Sequence, residues 1–199
     1  MIRLKSLAII GLLWVTITHV AAVEPSFDCH NNKLNAIETL ICQDKALSQL
    51  DNQLTEVYKQ AVEFDQENHA THNLRSEQRG WIKGRDECWK DGDPNQCVKK
   101  QYIHRIANLQ ARYRLVEHSQ PSFYSCDGVR AKEVVVTRFD TNPPSLIAEF
   151  GDRVAFMLQQ PKQENVYHGR NESVRYLEDS SAEITWGYQS PLMLCRVEQ

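Results

Sequence analysis

The chain has 199 residues, 41% of them hydrophobic and 25% charged, with a formal net charge of −3. That apolar fraction excludes a disordered polymer, and the length allows one good-sized core or two small ones. A balance this close to neutral gives no general electrostatic grip on nucleic acid, which needs a basic face to displace counterions from phosphates.

Residues 1–22 read as a cleaved secretion signal. Arg3 and Lys5 form a short cationic start, residues 7–17 are an almost unbroken apolar run, and Val20, Ala21 and Ala22 put small side chains where a signal peptidase cuts. The run is shorter than the roughly 20 residues that span a bilayer. Cys29 stands seven residues beyond Ala22, so neither a lipid-linked cysteine nor a membrane anchor is expected in the mature form. Loss of Arg3 and Lys5 takes the charge from −3 to −5. Six cysteines remain, Cys29, Cys42, Cys88, Cys97, Cys126 and Cys195, an even number bound for an oxidising compartment, which predicts three disulfides. None of their spacings is the CxxC clip of a zinc site, so no metal and no cofactor is expected.

From Asn35 to about Val116 the apolar residues recur at helical intervals. Asn35 with Glu38 is a capping-box pattern that opens a short helix through Ile37, Leu40 and Ile41 to Cys42. A longer helix carries Leu47, Leu50, Leu54, Val57, Tyr58, Ala61 and Phe64 on one face, then fades into a polar stretch over 65–73. A third carries Leu74, Trp81, Ile82 and Cys88 and breaks at Asp91-Gly92-Asp93-Pro94. The fourth sets Val98, Tyr102, Ile106, Leu109 and Tyr113 on one stripe. This predicts a small antiparallel helical bundle over 23–118.

After Ser119-Gln120-Pro121-Ser122, read as a linker over 119–122, the period changes to 2. Residues 134–139, 145–150, 153–158, 173–177, 183–186 and 192–197 are short, β-branched and aromatic, and separated by turn residues. Gly151-Asp152 predicts a tight hairpin with glycine at its first turn position. The fold class is therefore α+β in two segregated domains, the second all-β over 123–199. The residues alone leave the cysteine pairing open; pairing within each half gives Cys126 with Cys195, and pairing nearest neighbours in the helical half gives Cys29 with Cys42 and Cys88 with Cys97.

The helical half resembles the LprI-type lysozyme-inhibitor N-terminal domain family over about 27–113. The resemblance rests on Phe27-Asp28-Cys29, Glu38, Ile41-Cys42, Leu50-Asp51, Tyr58, Gln78, Trp81, Arg85-Asp86, Cys88, Cys97, Tyr102, Arg105-Ile106 and Leu109. It implies an exported bacterial protein connected with resistance to lysozyme. The second half resembles the MliC-type family of c-type lysozyme inhibitors over 123–196. Tyr124-Ser125-Cys126-Asp127-Gly128 matches its opening, Tyr167-His168-Gly169-Arg170-Asn171 its centre and Leu194-Cys195 its close. That resemblance implies a small antiparallel β-barrel.

In that family a Ser-Gly-x-x-Tyr loop and a later Lys segment enter the lysozyme cleft. Counted back from Tyr167, the Ser and Gly positions fall here on Gln163 and Glu164, and Glu178 and Asp179 stand where the Lys is expected. A carboxylate pushed toward the catalytic carboxylates of a poorly solvated cleft is repelled, so the contact is not inherited intact. What survives is a local excess of carboxylates, Glu172, Glu178, Asp179 and Glu183 against Arg175, which attracts a basic partner at long range. The resemblance thus implies a periplasmic protein that binds c-type lysozyme through Gln163, Glu164, Tyr167, Gly169, Glu178 and Asp179. The competing reading is a non-inhibitory envelope module that binds another periplasmic protein or cell-wall glycan.

No nucleophile elbow, phosphate loop or His-Glu-x-x-His helix is present, so no enzyme is expected. Asp51 and Arg85 read as a structural ion pair between neighbouring helices, with Trp81 beside it. His69 and His72 lack a third metal ligand nearby and read as solvated. Tyr102, Tyr113, Trp89 and Phe123 read as core and linker packing rather than an exposed aromatic surface. Oligomeric state is not legible.

Overall fold

The computed structural model describes residues 23–67 and 73–198. The expected signal sequence and the His69/His72 pair lie outside the described residues. Helix α1 (Ala36–Gln43) starts as the capping box requires: Asn35 Oδ1 accepts from the Ile37 and Glu38 amides, and Glu38 Oε2 accepts from the Asn35 amide. Helices α2 (Lys45–Glu67), α3 (Leu74–Asp86) and α4 (Pro94–Arg112) follow, with a single 3₁₀ turn at Glu87–Lys90 between the last two. Pro94 opens α4 at a position whose N–H would have no intrahelical partner.

The apolar stripes meet where their spacing directs. Ile37 and Ile41 of α1, Leu47, Leu54, Val57 and Ala61 of α2, and Val98, Tyr102, Ile106 and Leu109 of α4 form one buried cluster, with α2 packed chiefly on α4. Ile82 is 37% exposed and does not join it. Trp89 and Phe123 are exposed rather than packed. Trp89 follows Cys88, whose side chain turns inward to its disulfide, so the next residue is carried outward under the Lys90 ammonium. Phe123 alternates with the inward Tyr124 on a strand and so faces solvent.

Asp44 links three of the helices. Its Oδ1 accepts from the Ala46 and Leu47 amides at the start of α2, and its Oδ2 from Asn95 Nδ2 of α4 at 2.7 Å. These bonds, Asn95 foremost, hold its carboxyl below the ordinary value. Asp44→Ala is expected to cost about 1–2 kcal/mol in urea unfolding at neutral pH. Because the folded carboxyl is depressed, its contribution is full above the unfolded value of about 4 and is lost as pH falls through the folded value. The variant should therefore lose less stability than the parent on acidification through that window. An equal acid slope in both proteins would contradict the assignment.

The second half is a closed antiparallel barrel of eight strands in chain order. They are β1 (Ser122–Cys126), β2 (Val129–Phe139), β3 (Ser145–Phe150), β4 (Arg153–Gln160), β5 (Gln163–His168), β6 (Glu172–Tyr176), β7 (Ser181–Trp186) and β8 (Met193–Val197). Two of these, β1 and β5, were not among the strands expected from alternation. β5 begins Gln-Glu-Asn, without an apolar alternation, and its place comes from pairing with β4 across a bulge and with β6 over Val166–His168. Phe150 faces Arg153 across the expected Gly151 turn, where the glycine has φ 62°. Asp127-Gly128, both at positive φ, turns β1 into β2.

The barrel closes where Cys126 and Cys195 are register partners on β1 and β8, and these two cysteines are bonded. Cys29–Cys42 and Cys88–Cys97 complete the three disulfides. Alternate inward residues, among them Val134, Leu146, Met157, Val174 and Ile184, fill the interior. The halves touch through α4 and β3, and the His104 ring meets the edge of Phe156 at 5.3 Å. The chain between them is fastened to β2: the Ser119 amide donates to Arg138 O, and the Asp140 amide to Glu117 O.

Candidate functional site at the barrel rim

In an up-and-down antiparallel barrel successive turns alternate between the two ends. The connections at 140–144, 161–162 and 177–180 therefore share one rim, and those at 127–128, 151–152, 169–171 and 187–192 share the other. This arithmetic sorts the residues expected at a lysozyme contact. Gln163 and Glu164 open β5 beside the 161–162 turn, and Glu178 and Asp179 lie in the 177–180 turn, so these four are on the same rim, all exposed. Asn165 Nδ2 donates to Tyr176 O at 2.9 Å and ties the start of β5 to the strand end from which Glu178 follows. Gln159 Nε2 donates to Glu164 O at 2.7 Å and steadies the other side.

Tyr167 and Gly169 are placed differently. Tyr167 points into the barrel, buried, with its ring 6.0 Å from Tyr176 and Gln159 Nε2 at 3.4 Å from its hydroxyl. Tyr176 also approaches Tyr124, and the Arg138 guanidinium lies over the Tyr176 ring at 5.7 Å. Burial raises the phenol pKa of all three tyrosines, so they stay neutral and serve as a stiff plug beneath the rim. Gly169 sits at the opposite rim. A Cβ there would stand 3.0 Å from Phe156 O and 3.3 Å from Met157 Cγ, so its role is close packing of the β5–β6 connection on β4.

The carboxylates do not form one uniform patch. Arg175 and Glu183 are register partners with Nη1 and Oε2 3.5 Å apart, and Glu172 folds back to accept from the Asn171 amide at the far end of β6. Asp179 accepts from the Ser181 hydroxyl and amide, which hold its carboxyl below the ordinary value, and Arg196 adds a smaller pull. The rim thus presents Glu164, Glu178 and Asp179 with Lys162 and Arg196 interspersed.

In the helical half the expected ion pair is a relay. Arg85 Nη1 is 4.0 Å from Asp51 Oδ1, and the Tyr102 hydroxyl stands between them, donating to Asp51 at 2.7 Å and accepting from Arg85 at 2.8 Å. Asp51 Oδ2 also accepts from the Ser26 amide and hydroxyl; Arg85 pairs with Asp86 at 2.7 Å, and Asp86 accepts from Asn35. One chain of bonds thus joins the N-terminal segment to all four helices. Tyr102 was legible only as a stripe residue, because spacing says which way a side chain points and not what its hydroxyl meets. Among the described residues no group of three metal-ligating side chains occurs, and no helix is long and apolar enough to cross a membrane.

No solved structure matches the chain. The proteins named Lipoprotein LprI from Mycobacterium bovis and from Mycobacterium tuberculosis are each 32% identical over 84 residues, which is 42% of this chain. The match covers 40% of those proteins, so the chain spans about two fifths of the length of these relatives. The helical half, over residues 29–119, matches the family described as Lysozyme inhibitor LprI, and the barrel lies outside that match.

Proposed function

We propose that the chain is an exported, periplasmic inhibitor of c-type lysozyme that works by occlusion, with a barrel of the MliC type supplying the contact. The observation that carries the inhibitor reading is the match of residues 29–119 to a lysozyme-inhibitor family, and the barrel's part rests on its resemblance to the MliC type. The three disulfides support export to an oxidising compartment and keep both halves stiff, which lowers the entropy lost on binding. Inhibition needs no chemistry, only an interface of roughly 1,600 Å². Gln163, Glu164, Glu178 and Asp179 are the proposed contact rim, held by the tyrosine plug below.

Mature protein is expected to slow a c-type lysozyme in a cell-wall turbidity assay; full lysozyme activity at tenfold molar excess would remove the reading. Reversal of the rim charge in a Glu178→Lys, Asp179→Lys double variant should slow association with the basic enzyme about tenfold at low salt. The difference should shrink as the Debye length falls below about 10 Å. Unchanged inhibition by that variant would put the contact on the helical half. The carboxylates at 178 and 179 favour a second reading, an envelope module without inhibitory action. Retention on a lysozyme column without loss of lysozyme activity would select it.

A further inference from the structure

Arg138 stands at the mouth of the barrel, inside the candidate rim. It continues the inward series of Val134 and Val136 on β2 and faces the buried Leu146 of β3, so its side chain enters the barrel at the end where the 140–144 connection begins. In a closed barrel of eight strands in chain order β2 and β6 lie opposite one another, and the Arg138 guanidinium is 5.7 Å from the centre of the Tyr176 ring on β6. The side chain therefore spans the mouth above the tyrosine plug, and it stays exposed. Its backbone is fixed, since its amide donates to Ser119 Oγ at 3.1 Å and its carbonyl accepts from the Ser119 amide at 2.9 Å.

This charge is not used inside the molecule. Among the described residues Arg138 forms no ion pair, and the tyrosines below it stay neutral. Around it the connections and strand ends of the rim carry Asp140, Glu164, Glu178, Asp179 and Glu198 against Lys162 and Arg196, all exposed. A cation at the centre of an acidic border selects its ligand. Nucleic acid and other polyanions are repelled by the border before they reach the guanidinium. A small free carboxylate gains a single water-exposed charge contact, which contributes little. A basic protein surface with one projecting carboxylate satisfies both parts of the pattern. The border attracts it at long range, and the guanidinium takes the carboxylate in a two-bond fork once docking excludes water. The aromatic ring beneath holds the cation in place without neutralising it.

We propose that the barrel mouth is a receptor for one projecting carboxylate of a basic protein partner, with Arg138 as its anchor. The assignment rests on the lysozyme-inhibitor reading, to which it adds the group recognised: an acidic side chain of the enzyme that enters the mouth. Arg138 belongs to none of the sequence motifs, because strand direction and barrel closure are what bring it to the rim.

The test measures binding of the full mature chain, disulfides intact, to a c-type lysozyme by calorimetry. The enzyme is used in its native form and with its exposed carboxyls converted to amides by carbodiimide and ethanolamine. Removal of a cation from an acidic border strengthens long-range attraction to a basic enzyme, so a loss of binding in a folded variant reports the contact itself. Arg138→Gln should weaken binding to the native enzyme about tenfold and leave binding to the amidated enzyme unchanged or slightly tighter. Arg138→Lys keeps the charge without the fork and should lose about threefold, again against the native enzyme alone. Thermal unfolding followed through Trp186 checks that each variant is folded, and Arg138→Lys carries the comparison should Arg138→Gln fail to fold. No loss in either variant, or an equal loss against both forms of the enzyme, would overturn the proposal and leave the inhibitor reading in place. A parent chain that binds neither form would overturn the inhibitor reading and the proposal with it.

Discussion

Asp51→Ala is expected to lower the stability of the helical half by about 3–5 kcal/mol, the usual cost of removing one member of a buried charge pair. Asp51 and Arg85 are 6% and 4% exposed, so the surviving guanidinium cannot recover its hydration where it stands. Asp86 still neutralises it from one side at 2.7 Å, but Tyr102 loses the acceptor for its hydroxyl proton and Ser26 loses both of its bonds. The N-terminal segment is then tied to the bundle mainly by Cys29–Cys42 and by the bond from Asn52 Nδ2 to Glu24 O. Tyr102→Phe removes only the hydroxyl between the charges and should cost less, about 1–3 kcal/mol. Urea unfolding followed by far-UV circular dichroism measures both. A loss below about 1 kcal/mol for Asp51→Ala would mean that the relay behaves like a surface ion pair.

Replacement of Cys126 and Cys195 together by alanine should destabilise the barrel by about 4 kcal/mol, the loop-entropy value for a closure of 69 residues. The closures of 13 and 9 residues in the helical half each contribute about 3 kcal/mol on the same basis. The barrel has more at stake for a second reason. A domain this small buries a limited core, and β1 and β8 are the chain ends of the sheet, so the bond joins the two strands whose separation would expose an open edge. Backbone pairing from Tyr124↔Val197 to Cys126↔Cys195 and the Asp127 bonds to Leu194 remain in the variant, which should therefore fold at reduced stability. Thermal unfolding followed through Trp186, inside the barrel, reads the loss. An unchanged transition would show that the strand ladder alone closes the sheet.

The two halves differ in how plainly their residues announce them. Asn35 with Glu38, Pro94 behind Asp93, and the stripe from Val98 to Tyr113 act through neighbours three or four residues away, so the helices could be read one by one. The same holds for Gly151, whose conformational freedom is a property of that residue. β5 could not be read in this way. Gln163, Glu164 and Asn165 have no strand periodicity, and they are held by distant groups: Gln163 pairs with Gln160 of β4, Glu164 O accepts from the Gln159 side chain, and the Asn165 side chain donates to Tyr176 O. The candidate rim shows the same division, since chain position put Gln163, Tyr167 and Gly169 in one segment while strand direction put the first and last at opposite ends.

Residue identity by itself determined the two-part α+β organisation and the expectation of three disulfides, because period, caps and parity are local or arithmetic properties. Only the tertiary structure decided that Tyr102 bridges Asp51 and Arg85, that the acidic run is divided between two ends of a barrel, and that Arg138 reaches across the barrel mouth to Tyr176. Those facts depend on which distant groups meet and on how water is excluded between them, and spacing along a chain carries neither.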